Sequence, residues 1–134
     1  MITVKIVTPA GEYKTVEDVY LINVDTTDGM RGILPRHMPI VLALEIGKLE
    51  LVQENQRDLY SVNGGMLYFE NDKATILTDA IEYSGDIDLE RAKEAKERAE
   101  KRLREKKEDL DELRARLALR KAINRIRVKE GSHS

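Results

Sequence analysis

Residues 83–102 read YSGDIDLERAKEAKERAEKR, and this stretch divides the chain into two halves with different periodicities. Before Gly85, apolar and polar residues alternate in short segments that are separated by turn residues. Residues 86–130, in contrast, contain no glycine or proline and are dominated by Ala, Leu, Glu, Lys and Arg. Those residue types are strong helix formers, so the second half is predicted to be helical. The stretch also raises a functional question, because Asp88 and Arg91 lie about one helical turn apart at its head.

The half before Gly85 has the pattern of a β-sandwich. Ile2, Val4 and Ile6 alternate with polar residues, which is typical of a half-buried strand. Further extended segments follow at similar spacing, over residues 19–25, 40–46, 49–53, 57–62, 66–70 and 74–78. So many short strands in about 80 residues indicate an antiparallel β-sandwich or barrel. We therefore expect an α+β protein, with a β-sandwich domain over residues 1–84 and a helical domain over residues 85–134.

The helical half allows two arrangements. As one rod it would be about 68 Å long, which favours folding back on itself. Asp109 and Glu112 have the spacing of a capping box that would start a second helix, so the fold-back is expected near Lys107. No helix-stopping residue marks the break, and the same sequence could therefore form two antiparallel helices or one extended helix.

The two helices offer different faces for packing. The first has a narrow stripe of mostly small residues, Ala92, Ala95, Ala99 and Leu103. The second has two apolar stripes. They consist of Leu110, Leu113 and Leu117 on one side and of Ala115, Leu119, Ala122 and Ile126 on another. A helix of this kind is either buried between neighbours or exchanges neighbours.

Charge is distributed unevenly along the chain. The formal net charge is −2, yet residues 1–84 carry −6 and residues 85–134 carry +4. This asymmetry predicts an acidic partner or a polyanion for the second half, or else a solvated helix face. Nucleic-acid binding is disfavoured by the net charge and by the lack of aromatic residues among the basic ones. No apolar run approaches the roughly 20 residues that span a bilayer, so no membrane insertion is expected.

The sequence lacks the common signatures of catalysis. There is no cysteine, and no phosphate-cradling glycine loop or hydrolase motif occurs. The histidines, His37 and His133, stand apart from any acidic cluster, so no metal site is expected. Asp88 and Glu82 could act as acid and base, but no nucleophile or metal cluster completes such a site. We expect a non-catalytic protein without a catalytic cofactor.

Two features suggest binding. Residues 32–39, GILPRHMP, contain two prolines that fix the backbone, which predicts either a rigid connection between sheets or a docking surface. Arg91 and Arg98 lie on one face of the first helix, and Lys121 and Arg125 lie one turn apart on the second. A hairpin would bring these cations together, where an anion such as a triphosphate would offset their repulsion. The alternative is that Asp88 and Arg91 form an ordinary surface pair.

Over essentially its whole length the sequence resembles the epsilon subunit of the F-type ATP synthase. The resemblance is carried by Gly32-Ile33-Leu34-Pro35-x-His37-x-Pro39, by Asn63-Gly64-Gly65 and by Ile87-Asp88-Leu89-Glu90-Arg91-Ala92, which is similar to the family's nucleotide motif. It implies a non-catalytic central-stalk subunit at the cytoplasmic side of the cell membrane. The sandwich would dock on the gamma subunit and the c-ring through a loop over residues 28–31, with Met30 and Arg31, and through the segment of Pro35, His37 and Pro39.

The resemblance also implies regulation by ATP, with Mg²⁺ as a candidate companion ion. The helical hairpin would bind ATP, and an extended form would enter the head of alpha and beta subunits and inhibit ATP hydrolysis. The implied ATP-binding residues are Glu82, Ile87, Asp88, Arg91, Ala92, Arg98, Lys121 and Arg125. Lys121 departs from the family's usual arginine and lacks its bidentate fork. Arg114, Arg116 and Arg120 would meet an acidic loop on the beta subunits. The alternative is a freestanding ATP-sensing adaptor.

Overall fold

The computed structural model describes residues 1–105 and 109–131. Over those ranges the chain forms eight β-strands, a short 3-10 turn (Ser84–Asp86) and two α-helices. The strands are β1 (Ile2–Thr8), β2 (Gly11–Val19), β3 (Leu21–Thr26), β4 (Gly29–Ile33), β5 (Ile40–Gln53), β6 (Gln56–Glu70), β7 (Lys73–Leu77) and β8 (Ile81–Tyr83). The helices are α1 (Leu89–Glu105) and α2 (Asp109–Gly131). Two compact units result, Met1–Tyr83 and Ser84–Ser134.

The first unit is a β-sandwich, as the alternating sequence predicts. Ile2, Val4 and Ile6 of β1 are fully buried, and the polar residues between them face outward or are partly covered. The same alternation recurs in β3, β5 and β7, whereas residues 58–62 of β6 are all buried. The inward residues form one apolar cluster that includes Tyr60 and Phe69. The core therefore depends on aliphatic side chains at every second position of the strands.

The strand order is β2-β1-β7-β6-β5-β3-β4, with β8 paired to β6. Among consecutive strands, β1 with β2, β3 with β4, β5 with β6 and β6 with β7 pair antiparallel. The longest of these pairings joins β5 and β6 from Ile40↔Phe69 to Gln53↔Gln56. In the described sheet, β1 and β7 pair in parallel. This parallel pair is the exception in the antiparallel sandwich that the sequence predicts, because strands so distant in sequence are not constrained by a tight turn.

Two predicted strand breaks lie within continuous strands instead. The segments 40–46 and 49–53 form the single strand β5, and 57–62 and 66–70 form β6. The register between the two strands continues through Gly47 and Gly65 without a shift. Gly65 has φ +124°, and a Cβ at that position would lie 1.9 Å from the carbonyl oxygen of Leu77. Glycine here permits a close approach of two backbones rather than ending the strand.

The expected loop over residues 28–31 is also corrected. Met30 and Arg31 belong to strand β4, where they pair with Asp25 and Val24 of β3. Because β4 is the last strand in the order of the described sheet, it pairs there with β3 alone. The irregular segment begins at Leu34 and continues to Pro39.

The second unit is a helical hairpin, which was predicted as one of two arrangements. Helices α1 and α2 pack against each other. Three residues separate them, so they run antiparallel. Ala92 and Ala99 of α1 and Ala115 and Ala122 of α2 are almost fully buried. The expected fold-back point, Lys107, lies outside the described residues, as do the side chain of Asp109 and the whole of His133.

The two apolar stripes of α2 differ in exposure. In one stripe Ala115 and Ala122 are buried, and Leu119 and Ile126 are half-buried. In the other, Leu113 is 56% exposed and Leu117 is 38% exposed. The helix is therefore not buried on both sides, because Leu113 and Leu117, here called the leucine stripe, face solvent. Neither described helix is long and apolar enough to cross a membrane.

Candidate functional site

Asp88 is the N-cap of helix α1. Its Oδ1 accepts a hydrogen bond from the backbone N–H of Arg91 at 3.1 Å, and its carbonyl oxygen accepts one from Ala92 N at 3.0 Å. An aspartate at this position satisfies one of the unpaired N–H groups of the first turn and contributes about 1 kcal/mol to the helix. The first role of the motif is thus to start the helix.

The side chains of Asp88 and Arg91 also form a weak ion pair. Arg91 Nε lies 3.8 Å from Asp88 Oδ2, and the two side chains are 81% and 54% exposed respectively. Exposed pairs of this kind contribute little, because solvent screens them. Arg91 can therefore reorient toward an anion at small cost to the protein.

Ile87 and Ala92 are buried, at 3% and 0% exposure. They flank the cap at the positions of a hydrophobic staple, which fixes the angle at which the chain enters a helix. Because their side chains are covered, these two predicted ATP-binding residues could offer a ligand mainly backbone atoms.

Glu82 is half-buried on β8, opposite Ser61 of β6, and belongs to the sandwich unit rather than to the helical unit.

The hairpin brings the end of α2 to the beginning of α1. Lys129 Nζ donates to the carbonyl oxygens of Ser84 and Gly85, at 3.1 and 3.5 Å. Arg125 lies one turn before Lys129 and is half-buried, and Lys121 lies one turn earlier and is exposed. The approach of the two helix ends, which the sequence predicts for a hairpin, is confirmed by the Lys129 contacts.

Arg98 occupies a more acidic neighbourhood. It is exposed and lines a shallow groove on α1 with Glu94, Glu97 and Glu100, together with two further cations. Its charge is therefore partly balanced by carboxylates of the same helix. Among the described residues, no group of three acidic or histidine side chains could hold a metal ion.

Sequence reasoning missed Lys129 as part of this unit. A lysine in the last turn of a helix is the available signal, because cations are favoured near helix C-termini. Here its ammonium group instead satisfies carbonyl groups that precede α1. Only the tertiary fold reveals that arrangement.

The predicted docking residues of the sandwich differ in exposure. Met30 is 65% exposed, and Arg31 is exposed beside it on the edge strand β4. His37 is half-buried, with its ring 5.9 Å from that of Phe69 in an edge-on contact. Its Nδ1 lies 2.7 Å from the carbonyl oxygen of Met38. Pro35 is half-buried and Pro39 is exposed.

The exposed apolar side chains near these residues were not predicted. Leu34 is 57% exposed and Met38 is 72% exposed. Val41 and Tyr68, which pair across β5 and β6, are 57% and 41% exposed and line a groove of about 570 Å³. We call Leu34, Met38, Val41 and Tyr68 the apolar patch. The signal in the sequence was the placement of large apolar residues on both faces of β5.

The basic residues predicted on α2 lie at the surface. Arg114, Arg116 and Arg120 are all exposed. Arg116 Nη2 donates to Glu112 Oε1 at 2.6 Å, one turn away. Leu113 and Leu117 are exposed on the same helix, so α2 presents apolar and basic side chains together.

Both units match known families. Residues 1–84 match the β-sandwich domain of the ATP synthase delta/epsilon chain, and residues 86–130 match its long α-helix domain. The ATP synthase epsilon chain of Halalkalibacterium halodurans is 48% identical over 127 residues, which is 93% of this chain and 94% of that one. That of Pediococcus pentosaceus is 42% identical over 131 residues, 96% of this chain and 94% of that one.

Solved structures agree on the fold. A chain in the Euglena gracilis mitochondrial ATP synthase assembly of OSCP, F1 and c-ring superposes with a TM-score of 0.84 at 22% identity, covering 99% of this chain and 81% of that chain. A chain in the central stalk and c-ring of the Tetrahymena thermophila enzyme superposes with a TM-score of 0.60 at 16% identity, covering 99% and 96%. From its two domains and its relatives, the chain belongs to the delta/epsilon family of ATP synthase subunits, as an epsilon subunit of the F-type enzyme.

Proposed function

We propose that this subunit is a non-catalytic part of the central stalk, that its sandwich docks on the gamma subunit and the c-ring, and that its helical hairpin is an ATP-sensitive brake on ATP hydrolysis. The observation that carries the docking proposal is the apolar patch. Large exposed apolar side chains that lie together, as Val41 and Tyr68 do across β5 and β6, are typical of a surface that binds a partner. We assign the patch to gamma, and Met30 and Arg31 on the edge strand to the c-ring.

The brake proposal depends on the hairpin being able to open. The buried side chains of its helices include four alanines, Ala92, Ala99, Ala115 and Ala122. Each alanine buries little apolar area, so opening costs less than it would if these positions were leucine. The exposed leucine stripe of α2 is available to a new neighbour without first leaving an old one. In the extended form, Arg114, Arg116 and Arg120 would meet an acidic loop of the beta subunits.

The cations of the hairpin fit a polyphosphate ligand. Arg91, Arg98, Lys121 and Arg125 would hold its phosphates, and backbone atoms at Ile87 and Ala92 would contact the remainder. Asp88 has Oδ1 engaged in capping, and Oδ2, once Arg91 turns from their weak ion pair toward a phosphate, could accept from a hydroxyl or amino group. Glu82 is an ATP-binding residue implied by the resemblance alone. Any Mg²⁺ would arrive with the nucleotide.

The energetic effect of such a ligand is limited. A nucleotide that binds the hairpin alone stabilises it by RT ln(1 + [ATP]/Kd), which is about 2.7 kcal/mol at a hundredfold excess over Kd. The two forms must therefore lie within a few kcal/mol of each other for ATP to select between them. In the cell we expect the subunit at the membrane periphery on the cytoplasmic side, within the synthase.

Calorimetric titration of the full chain with ATP tests the ligand site, with ADP as the comparison nucleotide. Asp88→Ser keeps a good N-cap without the carboxylate, and combined with Arg91→Ala it should weaken ATP binding at least about tenfold. The control is Glu90→Ala with Lys93→Ala, which removes a pair of the same spacing and net charge and should bind normally. Equal affinity in both double variants would exclude the motif as a ligand site.

Docking is tested separately by reconstitution. The purified chain should bind ATP synthase depleted of this subunit, and Met38→Gln with Val41→Gln should weaken that binding. Glu17→Gln with Lys14→Gln, on the exposed strand β2, is the control. Recovery of the wild-type chain without other synthase subunits would favour a freestanding sensor instead.

A further inference from the structure

The segment of residues 34–39, here called the proline loop, has a strained backbone that is held by a residue distant in sequence. Arg36 has φ +69°, a left-handed conformation that residues other than glycine rarely adopt. Its backbone N–H donates to Asp72 Oδ1 at 2.6 Å. Asp72 lies in the turn between β6 and β7, 36 residues further along the chain. A carboxylate from another part of the fold therefore stabilises the loop conformation at Arg36.

Asp72 is itself held in place. Asn71 and Asp72 have φ values of +52° and +59°, the arrangement of a tight two-residue hairpin turn. The carbonyl oxygen of Asp72 accepts a hydrogen bond from Thr3 N of β1 at 3.0 Å. The turn is thus anchored to a strand on its other side, and the carboxylate has little freedom to follow the loop if the loop moves.

The proline loop has a second attachment one residue later. The ring of His37 lies edge-on to Phe69, which is 2% exposed, and the backbone N–H of His37 donates to the carbonyl oxygen of Leu34 at 3.2 Å. The backbone is therefore held at Arg36 and His37, while Leu34 and Met38 on either side expose more than half of their surface. A fixed backbone that displays apolar side chains lowers the entropy cost of docking.

We propose that Asp72 is a positioning residue for docking, because its carboxylate holds Arg36 in the conformation that presents Leu34 and Met38 to the gamma subunit. This inference rests on the docking function proposed above. Asp72 need not touch the partner, and it acts through the backbone of Arg36. The same carboxylate joins the turn between β6 and β7 to the docking surface, so that the sandwich core sets the position of the proline loop.

Two substitutions distinguish the effect of the hydrogen bond between Arg36 N–H and Asp72 from the effects of the Asp72 charge and of the turn conformation. Asp72→Gly removes the carboxylate and yields an Asn-Gly turn, the sequence that such hairpins prefer. Asp72→Asn removes the same charge but keeps an oxygen that can accept from Arg36 N–H. In the full chain, hydrogen exchange at the Arg36 amide should rise roughly tenfold or more in Asp72→Gly and much less in Asp72→Asn. Unchanged exchange at Thr3 would verify that the turn is intact.

Binding to synthase depleted of this subunit gives the functional result. We expect Asp72→Gly to bind about tenfold more weakly than the wild-type chain and Asp72→Asn to recover most of that loss. Equal affinity of the wild-type chain and Asp72→Gly, despite faster exchange at Arg36, would overturn the positioning role. Equal weakening in both variants would overturn it as well, because charge would then be the cause. Absence of binding by the wild-type chain would instead overturn the docking function.

Discussion

Lys129 Nζ lies 3.1 Å from the carbonyl oxygen of Ser84, and this contact joins the last turn of α2 to the residue that opens the segment before α1. A hydrogen bond from a charged donor to a carbonyl group is stronger than a neutral one. The bond closes the hairpin at the end opposite to the connection between the helices. It therefore stabilises the hairpin without any ligand.

Lys129→Ala should weaken the hairpin, because Ser84 and Gly85 lose the ammonium donor at their carbonyl oxygens. We expect a loss of about 1 kcal/mol, in the range of a single partly buried hydrogen bond. Hydrogen exchange of α2 amides in the full chain measures this loss as faster local opening. Lys93→Ala on the exposed surface of α1 is the control and should change exchange little. Identical protection in the two variants would argue against a closing role for Lys129.

Gly65→Ala should destabilise the sandwich strongly. An alanine there meets both an unfavourable φ of +124° and a contact of 1.9 Å with the backbone of Leu77, which together should cost about 3 kcal/mol or more. Gly11→Ala is matched in backbone conformation, with φ +117°, but nothing lies within 4 Å of its Cβ. Urea unfolding of both variants separates the cost of the unfavourable φ from the cost of the steric contact. We expect Gly11→Ala to lower the free energy of unfolding by about 1 to 2 kcal/mol. Equal losses would mean that the strand shifts to relieve the contact.

Periodicity was sufficient to predict the sandwich and the helices, because alternation and helix-forming composition are local properties. It could not predict that β5 and β6 run through Gly47 and Gly65, since whether a glycine bends or ends a strand depends on its neighbours in space. The bonds from Arg36 to Asp72 and from Lys129 to Ser84 join residues far apart in sequence. The N-cap at Asp88 could be predicted, because it depends only on residues close in sequence. The exposure of Val41 and Tyr68 could not, because it depends on which sheet face the fold leaves open.

Tyr60→Phe should change the response of the sandwich to alkaline pH. Burial, and secondarily the charge of Asp58 and the nearby Tyr13 and Tyr83, raises the pKa of the Tyr60 hydroxyl well above its usual value. Above a pH of about 10 an unfolded tyrosine releases its proton while the folded one retains it, so the free energy of unfolding falls as pH rises. Tyr60→Phe has no hydroxyl proton to release at this position on unfolding, so its free energy of unfolding should fall less between about pH 10 and 12.

The same substitution should be tolerated at neutral pH. The Tyr60 hydroxyl has no hydrogen-bond partner within the described part of the chain, so its removal leaves no donor or acceptor unsatisfied. Chemical unfolding at pH 7 and at several alkaline values provides both comparisons, with Tyr68→Phe at the exposed surface as the control. Parallel stability curves for the wild-type chain and Tyr60→Phe would contradict the predicted proton linkage.

The leucine stripe of α2 provides a test of the proposed brake. Leu113 and Leu117 are exposed in the hairpin, so Leu113→Gln with Leu117→Gln should change hairpin stability by no more than about 0.5 kcal/mol. In the extended form this stripe would be buried against the catalytic head, where two glutamines are unfavourable. The variant should therefore release inhibition and raise ATP hydrolysis by the reconstituted synthase.

Ile123→Gln is the matched control, because Ile123 is 45% exposed but lies on a different side of α2 at about 100° per residue. It should leave inhibition close to that of the wild-type chain. Steady-state ATP hydrolysis and helix unfolding are measured on the same preparations. If the double variant inhibits as strongly as the wild-type chain, the leucine stripe has no partner in the inhibited state, and the basic residues Arg114, Arg116 and Arg120 would have to account for α2 binding by charge alone.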